Sequence, residues 1–195
     1  MVFLDKRRKL TYSYVSKINP KFIFFPDWSW KVDEKIIRDF KCVCFHVADL
    51  PKFRGGSPIQ NQIIRGIVKT KTSAFFMTEK LDAGDILLKK DLSLKGSTDE
   101  IFERMIKNDY DMIVQIINNK FKIQKQKGKP SFYRRRKPEE SELPHLNYSK
   151  KYLYNFIRML ADPYPNAFIK IGKKKIIFKS TKFNGRKLEF KGEIE

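Results

Sequence analysis

Apolar residues in this chain cluster in short runs separated by longer amphipathic stretches. Phe22-Ile-Phe-Phe25 and Cys42-Val-Cys-Phe-His46 are brief and almost wholly apolar, the mark of strands buried on both faces. Between them, Asp33 to Phe40 reads as a helix, and before them Leu10 to Ile18 reads as another. That first helix stops ahead of Asn19-Pro20, because the residue preceding a proline is pushed out of helical space. A short strand is expected at Val2 to Leu4, a loop with two large aromatics at Pro26-Asp-Trp-Ser-Trp30, and a Pro- and Gly-dense loop from Asp49 to Pro58. A helix then runs from Pro58 to Gly66, followed by strands at Thr72 to Thr78 and Asp85 to Leu94 joined by Glu79-Lys-Leu-Asp-Ala-Gly84. Ser97 with Glu100 forms a capping signature for a long helix whose stripe is Ile101, Met105, Met112 and Ile116. The order strand, helix, strand, loop predicts an α/β fold with a mostly parallel sheet and helices on both faces.

Past Asn119 the pattern changes. From Lys120 to Lys137 every charged residue is basic, and Pro138 to Pro144 reads as a linker. A small α+β module follows: a helix from Ser149 to Leu160, a turn at Asp162-Pro-Tyr-Pro165, and strands at Ala167–Ile171, Lys175–Phe178 and Lys187–Phe190, with Asn184-Gly185 as a hairpin turn. The chain therefore divides into a core (1–120), a basic segment with linker (121–148) and a C-terminal module (149–195).

Among the 195 residues, 42 Lys and Arg face 22 Asp and Glu, a net charge of +20, while 41% are hydrophobic. That apolar content supports a folded core, so the charge predicts anionic partners such as phosphates, nucleotides, folate polyglutamate or RNA. The start has no apolar stretch after its basic residues and no long apolar run follows, so neither a secretory signal nor a membrane span is expected and a cytoplasmic location is. Cys42 and Cys44 are the only cysteines, too close in sequence for a comfortable bridge. With His46 they share one strand face, a partial zinc set that lacks further soft ligands, so no metal is expected.

In open α/β sheets chemistry sits where strands exit into loops. His46 leaves its strand straight into Val47-Ala-Asp-Leu-Pro-Lys-Phe-Arg-Gly-Gly-Ser-Pro58, and Asp82 lies in the next inter-strand loop. A histidine beside a carboxylate makes an acid/base pair. Gly55 and Gly56 are expected to let backbone approach a ligand.

These two segments, Phe45 to Ile59 and Leu81-Asp-Ala-Gly-Asp85, together resemble the formyltransferase family that uses 10-formyltetrahydrofolate. Its pattern is Asn-x-His, Leu-Pro, Arg-Gly-x-x-Pro and then Asp-x-Gly. The likeness is strong from about Asn19 to Leu94, and continues weakly through Phe132 to Glu140 and Asp162 to Phe168. It implies an abbreviated Rossmann-like sheet, since members usually carry a longer lead before the aromatic loop. It also implies that His46 hydrogen-bonds the formyl oxygen while Asp82 holds the imidazole and manages the proton. By the same resemblance Phe25, Pro26, Trp28, Arg54, Gly55 and Asp85 would meet the folate, and Asp49, Gly56, Ser57 and Arg134 the acceptor. Asp49 reads equally as a loop cap, Trp28 and Trp30 as packing, and Arg134-Arg-Arg136 as a solvated basic surface.

One catalytic position departs from the pattern: Cys44 stands where the family has asparagine, and a thiol is the weaker donor. The favoured expectation is formyl transfer to the amino group of a nucleotide-linked amino sugar, with the C-terminal module holding the acceptor or forming a homodimer. The alternatives are a methionyl-tRNA formyltransferase, favoured by the charge, and a binding protein that keeps the fold without catalysis.

Overall fold

The apolar run at Phe22 forms strand β1 (Ile23–Phe25), and the run at Cys42 forms β2 (Cys42–His46), paired in parallel with Ile23 opposite Cys42 and Phe25 opposite Cys44. The computed structural model describes residues 1–4 and 9–195. Two compact units emerge from it. The first gathers Met1–Arg54, Lys71–Asp91 and Ile106–Phe132, and the second Gly55–Thr70, Leu92–Met105 and Tyr133–Glu195.

In the first unit, α1 (Tyr12–Ile18) starts at Thr11, whose hydroxyl accepts from the Tyr14 N–H, and α2 (Glu34–Asp39) starts at Asp33, whose carboxylate accepts from the Lys35 N–H. Val15, Val32 and Ile36 bury with Phe25 and Cys42. The opposite side of β2 faces the long helix α4 (Thr98–Ile117): Val43 and Phe45 bury with Met112 and Ile116. Alternation along β2 thus packs helices on both faces of the sheet, as the sequence pattern predicts. Val2 to Leu4, expected as a strand, has no regular structure, and Phe3 is 85% exposed.

The sheet order is β1-β2-β4-β5, where β4 is Lys69–Phe76 and β5 is Ile86–Ser93. It is mixed where a mostly parallel sheet was expected, because β2 pairs β4 antiparallel, with His46 opposite Ser73. The short connection between β4 and β5 leaves no length for a crossover, so they run as a hairpin in which the Phe76 N–H donates to Asp85 O. A two-residue strand that the pattern does not announce, β3 (Arg54–Gly55), pairs with another, β6 (Phe132–Tyr133).

The second unit holds α3 (Pro58–Ile64), α5 (Lys150–Arg158) and the antiparallel sheet β7 (Phe168–Ile171), β8 (Lys174–Phe183) and β9 (Leu188–Ile194). Ser97 and Glu100 form the predicted reciprocal cap at the start of α4: the Ser97 N–H donates to the Glu100 carboxylate at 2.7 Å, and the Glu100 N–H to the Ser97 hydroxyl at 3.2 Å. Asn184 holds the β8–β9 turn by accepting from the N–H groups of Arg186 and Lys187, while Gly185 takes φ +92°. Arg158 is 6% exposed, and its guanidinium donates to Asn155 Oδ1, Leu94 O and Gly96 O. Those bonds let a cation stay buried, although burial holds its pKa below the usual arginine range. Among the described residues, no helix is long and apolar enough to cross a membrane.

Candidate functional site

His46 ends β2 on the Cys42/Cys44 side of the strand and is 8% exposed. Its Nε2 lies 2.7 Å from the carbonyl oxygen of Phe53. A carbonyl only accepts, so Nε2 carries the hydrogen and donates. The other ring nitrogen, Nδ1, faces Asp82 Oδ2 at 3.7 Å, an ion-pair separation longer than a hydrogen bond, with both side chains about nine-tenths buried. The structure therefore brings together the His46 and Asp82 that the sequence singles out.

The loop leaving His46 is fixed from the neighbouring strands. The Ser73 hydroxyl donates to Ala48 O at 2.7 Å, and Lys89 Nζ donates to Leu50 O at 2.6 Å while pairing with Asp49 at 2.5 Å. Asp49 thus anchors its own loop through Lys89. Farther along, Phe53 adopts φ +56°, a left-handed conformation that a bulky side chain rarely takes.

Asp82 also sits at positive φ, +51°, and its loop is clamped by a residue that the sequence reading missed. The Gln126 carboxamide donates to Asp82 O and to Gly84 O, both at 2.8 Å, and accepts from Arg54 Nη2 at 2.7 Å. One side chain thereby ties the Asp82 loop to the arginine of the His46 loop. Gln126 reaches this place because Gln124 bridges Ile86 at the edge of the sheet, with N–H to O bonds in both directions. The only trace in the sequence is the alternation Gln124-Lys-Gln-Lys127 inside a run dominated by charge. Gly84 is required sterically, since a Cβ there would lie 1.6 Å from Phe76 O.

Burial first, and then the Asp82 carboxylate, push the Cys44 thiol up to about 12, so the group is a neutral S–H at physiological pH. Burial likewise pushes Cys42 to about 12, and its Sγ donates to Ile36 O at 3.6 Å. Among the described residues, no group of three or more His, Cys, Asp or Glu is placed to hold a metal.

The residues expected to meet a folate are spread over different environments. Phe25 is in the core at 3% exposure, Pro26 is exposed, and half-buried Trp28 meets Phe25 and Trp30 edge-on at 5.5 and 5.1 Å. The Trp28 Nε1–H and the Arg54 Nε are buried without hydrogen-bond partners, polar atoms that a heteroaromatic ligand could satisfy. Asp85 pairs with Lys125 at 2.9 Å. Asp109 on α4, which the sequence reading passed over, is 8% exposed with an unpartnered Oδ1. Burial first, and then the Asp27 carboxylate, raises its pKa to about 7.

In the second unit, Gly55 and Gly56 are approached closely by the chain itself. A Cβ on Gly55 would lie 2.2 Å from Tyr133 O, and one on Gly56 2.4 Å from the Arg135 backbone. The Ser57 hydroxyl accepts from the Arg136 N–H at 3.0 Å. Arg134 forms a two-pronged pair with Glu140 at 2.8 and 2.9 Å.

Residues 7–117 match the family model described as formyl transferase, and residues 138–195 the one described as methionyl-tRNA formyltransferase, C-terminal domain. The methionyl-tRNA formyltransferase of Mycoplasma capricolum is 30% identical over 179 residues, 88% of this chain and 56% of that protein. The chain thus spans about half the length of such curated relatives. A solved structure of methionyl-tRNA formyltransferase from Clostridium thermocellum is 42% identical with a TM-score of 0.93, covering 98% of this chain and 85% of that one. A 4-N formyltransferase from Francisella tularensis shares the fold at 18% identity and a TM-score of 0.66, over 79% of this chain and 67% of that one.

Proposed function

The chain belongs to the formyl transferase family, and from that premise we propose that it transfers a formyl group from 10-formyltetrahydrofolate to the amino group of methionyl-tRNA. The donor supplies an activated formyl carbon when bound. His46 offers its Nε2–H to the formyl oxygen in place of Phe53 O, stabilising the charge that grows there as an amine attacks. Asp82, facing Nδ1, holds the imidazole in place and takes part in moving the proton from the attacking nitrogen to the folate amine as that amine's bond to the formyl carbon breaks. Gln126 and Arg54 hold the two loops in register. The unpartnered Trp28 N–H suits a hydrogen-bond acceptor on a flat heteroaromatic ring.

The observation that carries the acceptor is the 42% identity to the Clostridium thermocellum protein over nearly the whole chain. The nucleotide-linked amino sugar favoured by the sequence reading has in its support a likeness of fold alone. Charge adds to the tRNA reading: on and beside β8, Lys173, Lys174 and Lys182 have no ion pair among the described residues, as suits a polyanionic backbone.

The test is tetrahydrofolate release from 10-formyltetrahydrofolate in the presence of methionyl-tRNA or of amino-sugar nucleotides. Release with methionyl-tRNA, weakening steeply with salt, is expected. Release with the sugar alone moves the acceptor to the second reading, and no release with either favours a binding protein.

A further inference from the structure

The second unit carries a row of four rings that the catalytic reading does not use. Tyr148, Tyr152 and Phe156 recur every fourth residue, so α5 and the residue preceding its cap set them on one face. The rings lie nearly parallel: Tyr152 and Phe156 have centroids 6.0 Å apart at 25°, Tyr148 and Tyr152 4.5 Å apart at 29°. His145, outside the helix, extends the row by one ring, 4.6 Å from Tyr148 at 24°. The row passes from a buried Phe156 through half-buried tyrosines to an exposed histidine.

Core packing accounts for the inner rings. It does not account for a polar ring stacked on the end in water, where little apolar area is gained. The His145 ring is stacked on Tyr148 and is otherwise exposed to water, the state in which a ring can take a further flat partner. Cations accompany the row: the Arg136 guanidinium lies 5.8 Å from the Phe156 ring, and α5 opens with Lys150 and Lys151 and no acidic residue. Aromatic faces beside cations are how proteins hold bases that carry phosphates.

We propose that His145 ends a stacking platform for the unpaired base of a phosphorylated nucleotide. The source of that base is an unpaired RNA nucleotide if the acceptor is tRNA, which rests on the reading above, or a free nucleoside diphosphate if it is not. Either base would stack on His145, with its phosphates toward the basic residues around α5.

The test measures binding of a fluorescent ten-nucleotide single-stranded RNA, of the same sequence as a duplex, and of UDP, to the full chain and to His145→Ala and His145→Phe. Loss of one stacked base corresponds to roughly 5- to 150-fold weaker binding. That loss is expected for His145→Ala with single-stranded RNA and not with the duplex, and His145→Phe, which keeps a flat ring, is expected to bind close to the parent. The same pattern with UDP in place of RNA supports the platform and assigns it to a free nucleotide. Unchanged binding in His145→Ala, equal losses on single and double strands, or no binding of either probe by the parent overturns it. Formyl transfer to methionyl-tRNA, measured separately, reports on the acceptor reading independently of His145.

Discussion

The carbonyl of Phe53 accepts the Nε2–H of His46 at 2.7 Å, while Asp82 faces the opposite ring nitrogen at 3.7 Å. A substrate oxygen that takes this N–H replaces an existing partner, so binding and the arrangement of the His46 loop are linked. His46→Ala and Asp82→Asn should each lower the rate of tetrahydrofolate release by about 10²–10⁴ with little change in melting temperature. Two variants as active as the parent would remove the pair from the mechanism.

Cys44 is a neutral thiol at the position where the family pattern has a carboxamide. Restoring a strong donor with Cys44→Asn should raise turnover, by up to about 10²-fold if the missing group is an oxyanion donor. Initial rates at saturating donor and acceptor decide it; a fall would mean that the thiol has a use of its own.

Gln126 satisfies two carbonyls of the Asp82 loop and one Arg54 N–H. Gln126→Leu should remove about 1–3 kcal/mol of stability, the usual loss when buried polar groups are left unpaired. It should also lower kcat, since the loop it holds bears Asp82, the carboxylate proposed to act with His46. Denaturant unfolding and steady-state kinetics on the same preparations separate the two effects.

Asp109 makes a prediction about pH. Its folded-state pKa of about 7 lies above the ordinary carboxyl value of 3.8, so the folded chain holds a proton that the unfolded chain releases between those values. Stability contributed by the protonated form is complete below about pH 4 and is lost as pH rises toward 7. Asp109→Asn should therefore gain on the parent across that window, by at most about 4 kcal/mol, and level off above it. Equal differences between the two proteins at pH 4.5 and 8, from urea unfolding, would contradict the assignment.

What was legible in the sequence was whatever local pattern encodes. The β2 run with His46 at its exit, the Ser97/Glu100 cap and the Asn184-Gly185 turn all appear where the residues predict them. What was not legible depends on partners far along the chain. Two-residue strands such as β3 and β6 are too short to show a period. Gln126 acts on Arg54, 72 residues away, and nothing near it in sequence signals this. The antiparallel step from β2 to β4 is decided by tertiary pairing, and runs against the parallel order that the alternation of elements suggests. Arg134, which the resemblance places at the acceptor, pairs with a carboxylate six residues on, a contact that the net charge conceals.

The close approach at Gly55 and Gly56 changes what a substitution there would report. Both glycines are crowded by residues 133 to 135 of the same chain, so Gly55→Ala or Gly56→Ala forces two backbone segments apart. An assay that scored ligand affinity alone would register the damage as a lost contact. Gly66 supplies the comparison: at φ +75° with nothing within 4 Å of its Cβ position, its alanine variant meets backbone strain and no collision. The Gly55-Gly56 pair thus marks where the chain folds against itself, whatever the loop binds.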